Sequence, residues 1–173
     1  MDGPNLALPP IDQDDPSAHS SGPVIISDVI GIESAINIFA GFTRDIESVS
    51  RRLEDESQNT TVLAPRNSAI TAQRKKPWED SRDYAFVGPA AYGGSEGEDR
   101  AHANLRRFVE AHLIPSSPWK AGEKVQTMGG ARIWWEDQNG KTVIQPAGIV
   151  VSAVANRVAN GEIWMLEGVM KNS

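Results

Sequence analysis

Three histidines, His19, His102 and His112, are the side chains of this chain whose ordinary pKa lies nearest neutral pH, and each is weighed first as a general base or a metal ligand. Their positions suit neither role, since His19 lies among prolines and serines and no pair stands at a metal-ligand spacing. His112 follows Leu105, Phe108 and Val109 on one helical stripe, so it is expected to point into the core as a hydrogen-bonding strut. A hydrolase would need His112 within reach of a serine or a carboxylate. The acid pairs Glu54 and Glu56, Glu79 and Asp80, and Glu98 and Asp99 sit in polar surroundings and read as solvated. Gly88 through Gly97 is glycine-rich, but it lacks the lysine and the strand-to-helix context of a phosphate cradle. There is no nucleophile elbow, zincin motif or calcium loop. The expectation is no catalysis, no metal and no cofactor.

The aromatic residues point instead to binding. Trp134 and Trp135 are adjacent in a predicted strand, so their side chains take opposite faces and one is expected at the surface. Trp78 stands beside Pro77 in a loop, and Trp119 beside Pro118. Exposed aromatics are what a glycan- or protein-binding surface uses, and core or loop anchoring is the bland alternative. Trp78, Trp134 and Trp135 are the candidate ligand surface. A small hydrophobic ligand, lipid or glycan held in a cleft lined by Trp134 or Trp135 together with Trp164 is the alternative to a protein partner. Asn59-Thr60-Thr61 is an N-glycosylation acceptor, which makes Asn59 a candidate modification site and points to the secretory pathway.

The elements that must position these residues follow from periodicity. Thr61 to Ala64 reads as a short buried strand ended by Pro65, which withholds a donor, with Asn67 expected to cap the helix that follows. Before it, Ser27 or Asp28 can cap a short helix over Val29 and Ile30. Phe39, Phe42, Ile46, Val49 and Leu53 then alternate steps of three and four, which predicts one core-facing amphipathic helix. Residues 71–103 are the least regular part, with the run Arg74-Lys75-Lys76-Pro77-Trp78-Glu79-Asp80; they read as decoration or as a dedicated binding loop. A helix is predicted around 103–111. Strands are predicted over 125–128, 131–136, 141–145, 149–154 and 162–166, with Asn139-Gly140 as a hairpin turn. This order predicts an α+β fold of antiparallel β with helices at one end.

Composition narrows the partners. The chain has 17 basic and 23 acidic residues, a net charge of −6. Asp2, Asp12, Asp14 and Asp15 lie in a tail without Lys or Arg, which leaves 19 acids against 17 bases elsewhere. Neither part has the basic face that nucleic acid requires. With no cysteine there is no disulfide and no thiolate chemistry. No apolar run reaches the roughly 20 residues of a membrane span, and the first twenty residues lack a signal peptide's apolar core. A secreted reading therefore presumes a leader that these residues do not supply. Residues 1–22, with four prolines among Asp, Ser and Gly, read as a flexible leader, either a spacer or strap or an unstructured terminus. Residues 23–173 read as a single domain.

Thr61-Val62-Leu63-Ala64-Pro65-Arg66-Asn67-Ser68-Ala69-Ile70 resembles the first signature of the fasciclin-like FAS1 domain, matched at Thr61, Val62, Ala64, Pro65 and Asn67. Asn160 to Met170 is similar to the family's closing segment, matched at Asn160, Gly161, Gly168 and Val169, with Trp164 in place of histidine and Glu167 in place of aspartate. Leu105 to Pro115 resembles the Tyr-His segment, with His112 at the histidine and Ala111 at the tyrosine. The resemblance implies an antiparallel β-sandwich or wedge core with N-terminal helices packed against it. It also implies a non-catalytic adhesion or protein-interaction module, secreted, at the cell surface or in the vacuolar and endomembrane lumen. The implied partner is a protein or a matrix or cell-wall component, not nucleic acid, with membrane proximity only through a segment outside this chain. Ala111 removes the tyrosine associated with adhesion in animal domains, so integrin binding is not transferred.

Overall fold

The computed structural model describes residues 22–171, so the leader expected over 1–22 lies, but for Gly22, outside the described residues. The chain opens with α1 (Ile26–Val29), whose Asp28 carboxylate accepts from the Ile25 amide, and a single 3-10 turn at Ser34–Ile36. The expected amphipathic helix comes next as two, α2 (Asn37–Asp45) and α3 (Glu47–Leu53). Ile46 between them takes extended angles, φ −103° and ψ 105°. The apolar stripe survives the break: Phe39, Ile46, Val49 and Leu53 are all buried and Phe42 half-buried. No Pro or Gly stands at the break, so tertiary packing of Ile46 bends the chain where periodicity alone would not.

The strand β1 (Thr60–Pro65) is buried at every position and leads through Arg66 into α4 (Asn67–Thr71). Asn67 does not cap α4, contrary to expectation, because it is already the first helical residue. Its Oδ1 accepts from the Ile38 amide at 3.0 Å, and its Nδ2 donates to the Ser34 carbonyl and Asn37 Oδ1, each at 2.9 Å. It fastens α4 to the start of α2.

The stretch read as irregular holds α5 (Ser81–Val87) and the front half of a 17-residue helix, α6 (Gly94–Glu110). Glycine at 97 allows close approach: a Cβ there would stand 2.2 Å from the Tyr92 carbonyl carbon.

The strands β2 (Leu113–Ile114), β3 (Val125–Gln126), β4 (Arg132–Gln138), β5 (Lys141–Gln145), β6 (Ile149–Val158) and β7 (Gly161–Leu166) complete one seven-stranded sheet in the order β2-β1-β7-β6-β5-β4-β3. Asn139 (φ 56°) and Gly140 (φ 85°) make the expected hairpin turn between β4 and β5. The sheet corrects two expectations. It is mixed, because β1 and β7 run parallel while every other pairing is antiparallel. It is also one curled, nearly closed sheet in place of a two-sheet sandwich: past β3 the Met128 amide donates to Leu113 O of β2 at 2.8 Å, so the two ends meet. Register shifts in β6 between Val151 and Ala153 and between Val154 and Asn156 supply bending of the kind bulges give.

Two cores result from strand alternation. Val62, Ala64 and Ile163 pack under the helices with Phe39, Val49, Leu53 and Phe108. Leu63, Trp164 and Leu166 pack on the other face with Ile133, Ile144 and Trp119.

Candidate functional site

The β1–β7 pairing sets the two signature segments side by side, Thr60 against Gly161 through Pro65 against Leu166. At one end, Asn160 is fully buried. Its Oδ1 accepts from the Ile26 amide at 2.8 Å, and its Nδ2 donates to Leu53 O at 3.0 Å and Asp55 O at 3.2 Å. One side chain thus joins α1, the end of α3 and β7. Gly161 (φ 150°) crosses Thr60 so closely that a Cβ would stand 1.7 Å from its carbonyl oxygen. Thr61 Oγ1 donates to Ser116 O at 2.7 Å, and Arg52 reaches Thr60 Oγ1, Gln58 Oε1 and Asn59 O, each at 2.8 Å.

At the other end stands His112, buried against Phe39 and Phe108 with ring centroids 5.4 and 4.6 Å away. The Met170 amide donates to its Nε2 at 2.9 Å, so Nε2 is the acceptor, the proton is assigned to Nδ1, and Nδ1 donates to Phe108 O at 2.7 Å. Both nitrogens are satisfied in the neutral ring. Burial pushes its pKa down to about 4, against a smaller upward pull from the Phe108 carbonyl. Among the described residues no serine or carboxylate hydrogen-bonds to it, and the strut predicted from its helical stripe is what the structure contains.

The tryptophans divide. Trp119, Trp135 and Trp164 pack together, with centroids of Trp119 and Trp135 at 5.2 and 5.7 Å from that of Trp164. Their indole N–H groups donate to Glu123 O, Trp119 O and Glu162 Oε1 respectively. Trp135 and Trp164 are thus in contact, without the cleft between them that a carrier would use. Trp134, on the other face of β4, is half-buried with Lys124 Nζ 5.3 Å from its ring. Trp78 is 39 % exposed, and its carbonyl accepts from the buried Asn104.

Asn59 is exposed just before β1, its Nδ2 3.4 Å from Ser117 O. Glu167 is exposed, and its amide donates to Val150 O at 2.9 Å. Gly168 has ordinary clearance, 3.6 Å from an added Cβ to Ile149, so space does not demand glycine there. The polar node missed in the sequence is Asp83, whose carboxylate accepts from Asn104 at 2.9 Å and Tyr92 at 2.8 Å and is held below its ordinary pKa by those bonds. It fastens α5 to α6, and only three-dimensional proximity reveals it. Among the described residues no group of three His, Cys, Asp or Glu is placed to hold a metal ion, and no helix is long and apolar enough to cross a membrane.

A helix-backed, curled mixed sheet with two abutted signature strands is the architecture of a FAS1 domain. The solved FAS1 domain pair of the insect cell adhesion molecule fasciclin I is similar at a TM-score of 0.55 and 14 % identity, over 86 % of this chain and 51 % of that one. No family model matches the chain. FAS1 domain-containing proteins of Neurospora crassa, Aspergillus fumigatus and Emericella nidulans are 54, 52 and 48 % identical over 96, 84 and 84 % of this chain. The chain belongs to this family of FAS1 domain-containing proteins. It spans 75 % of the Neurospora relative and 63 and 61 % of the other two.

Proposed function

We propose that this domain is a non-catalytic protein-binding module of the adhesion type, working in the secretory pathway or at the cell surface. The observation that supports it most is the use of the signature residues: Asn67, His112 and Asn160 direct their polar atoms to backbone and side chains of their own domain. Chemistry-bearing groups are therefore framework, and contact with a partner falls to the surface. There, α5 carries two adjacent large apolar side chains in solvent, Phe86 at 88 % and Val87 at 47 % exposure. The similarity to a domain pair from a cell adhesion molecule supports the same reading.

The experiment is a binding assay with beads carrying the full chain against intact fungal cells and cell-wall fragments. The expected result is saturable binding that Phe86→Asp, in a fold unchanged by circular dichroism, weakens at least tenfold. A folded wild-type chain that binds neither overturns the reading. The compartment has its own test at Asn59, whose acceptor tripeptide ends in a Thr61 that the fold buries. Modification would thus precede folding. A chain routed through the secretory pathway should lose mass on glycosidase treatment, and Asn59→Gln should not.

A further inference from the structure

A cavity of about 270 Å³ opens between the end of α4, the connection to α5, the last turn of α6 and the segment after β7. Its floor is apolar: Ile70, Phe108 and Met170 are nearly fully buried, joined by Pro77 and Val169. Its rim is cationic. Lys75, Lys76, Lys120, Lys124, Lys141 and Lys171 are all the lysines of the chain, and Lys75, Lys76 and Lys171 stand around this one opening. Among the described residues no ion pair includes any of the three. Among the described residues Glu79 is the one carboxylate on the lining, and it accepts from the Lys76 amide at 2.8 Å. In a chain of net charge −6, three ammonium groups around an apolar floor are a local reversal of sign.

We propose that this cavity binds a short amphiphilic carboxylate, an apolar group of about eight carbons on Ile70, Phe108 and Met170 with its carboxylate among Lys75, Lys76 and Lys171. Size favours a short chain, because about 270 Å³ falls just below the usual range for ligand pockets, roughly 300 Å³ upward. Charge decides against a neutral or cationic ligand. The floor is pre-formed, since His112 binds the backbone of two lining residues at once, Phe108 through its carbonyl and Met170 through its amide. Met170 also packs in the core that holds Trp119 and Trp164, but no tryptophan lines this opening, and the site does not depend on the adhesion reading.

The test is an NMR titration of the full chain, followed at the methyl groups of Ile70, Val169 and Met170, with octanoate and with 1-octanol. Saturable shifts are expected with octanoate, at a Kd on the order of 0.1–1 mM for ten non-hydrogen atoms. Octanol should bind at least tenfold more weakly. The exposed double substitution Lys75→Gln with Lys76→Gln should abolish that preference. A tripeptide ending in leucine, compared as free acid and as amide, separates the two sources of such a group. A free-acid peptide binding tenfold tighter than octanoate assigns the site to a polypeptide C-terminus, and the reverse assigns it to a free acid. No saturable shift at these methyls up to 10 mM octanoate, or equal binding of octanol, overturns the proposal.

Discussion

Asn160 makes three hydrogen bonds from a fully buried amide, to partners at Ile26, Leu53 and Asp55 that lie 105 to 134 residues away in sequence. Asn160→Ala strands the Ile26 amide and the Leu53 carbonyl without water, and each stranded buried group costs about 1–3 kcal/mol. The expected loss is about 2–4 kcal/mol of unfolding free energy, read from the urea midpoint at constant slope; a loss below 0.5 kcal/mol would show the bonds to be ornamental. Asn160-Gly161 was legible as a motif. What it does was not, because a side chain's partners a hundred residues distant leave no trace in local pattern. His112 was more legible, since helical spacing alone turned it inward, while the identity of its acceptor and donor, Phe108 and Met170, needed the fold.

Elements transmit what such residues fix. Buried neutral His112 joins the last turn of α6 to the chain beyond β7, and its folded pKa of about 4 lies below the unfolded value near 6.5. Between those values the unfolded chain binds the extra proton, so stability rises with pH. His112's contribution is fully present above pH 6.5 and is lost as pH falls toward 4, by on the order of 3 kcal/mol for a shift of this size. His112→Gln, which keeps an acceptor for the Met170 amide, should have a lower midpoint at pH 7 but a flatter profile from pH 6.5 to 4 in urea titrations. An unchanged slope in that window would assign the acid sensitivity to other groups. At this scale the sequence misled twice. Glycines 93, 94 and 97 read as loop although Gly97 admits the Tyr92 backbone against a helix, and the stripe from Phe39 to Leu53 read as one helix although Ile46 bends it. Composition reports what a glycine permits, not which use the fold makes of it.

For the whole molecule, the deciding contact is the parallel register of β1 and β7, which closes the sheet between segments separated by about a hundred residues. The antiparallel hairpins from β4 to β7 could be read from turn chemistry at Asn139-Gly140 and from alternation. The direction of β1 against β7 could not, since no turn joins them. The run Thr60–Pro65 pairs with β7 along its length and with β2 at Thr61 and Val62, and it is buried throughout, so its amides cannot reach water without opening both helices and sheet. By contrast α5 is a seven-residue helix with Ala85, Phe86 and Val87 in solvent, and Asp83 ties it to Tyr92 and Asn104. Native-state hydrogen exchange should therefore give Val62, Leu63 and Ala64 the protection of global unfolding, and the α5 amides protection at least a hundredfold lower, a gap of about 2.7 kcal/mol or more. Urea should shrink protection of β1 with the full unfolding slope and leave that of α5 nearly unchanged. If both segments exchanged with one common denaturant dependence, α5 would belong to the same cooperative unit as the sheet, and the exposed apolar pair at its end would be a fixed feature of the domain, not the surface of a locally opening arm.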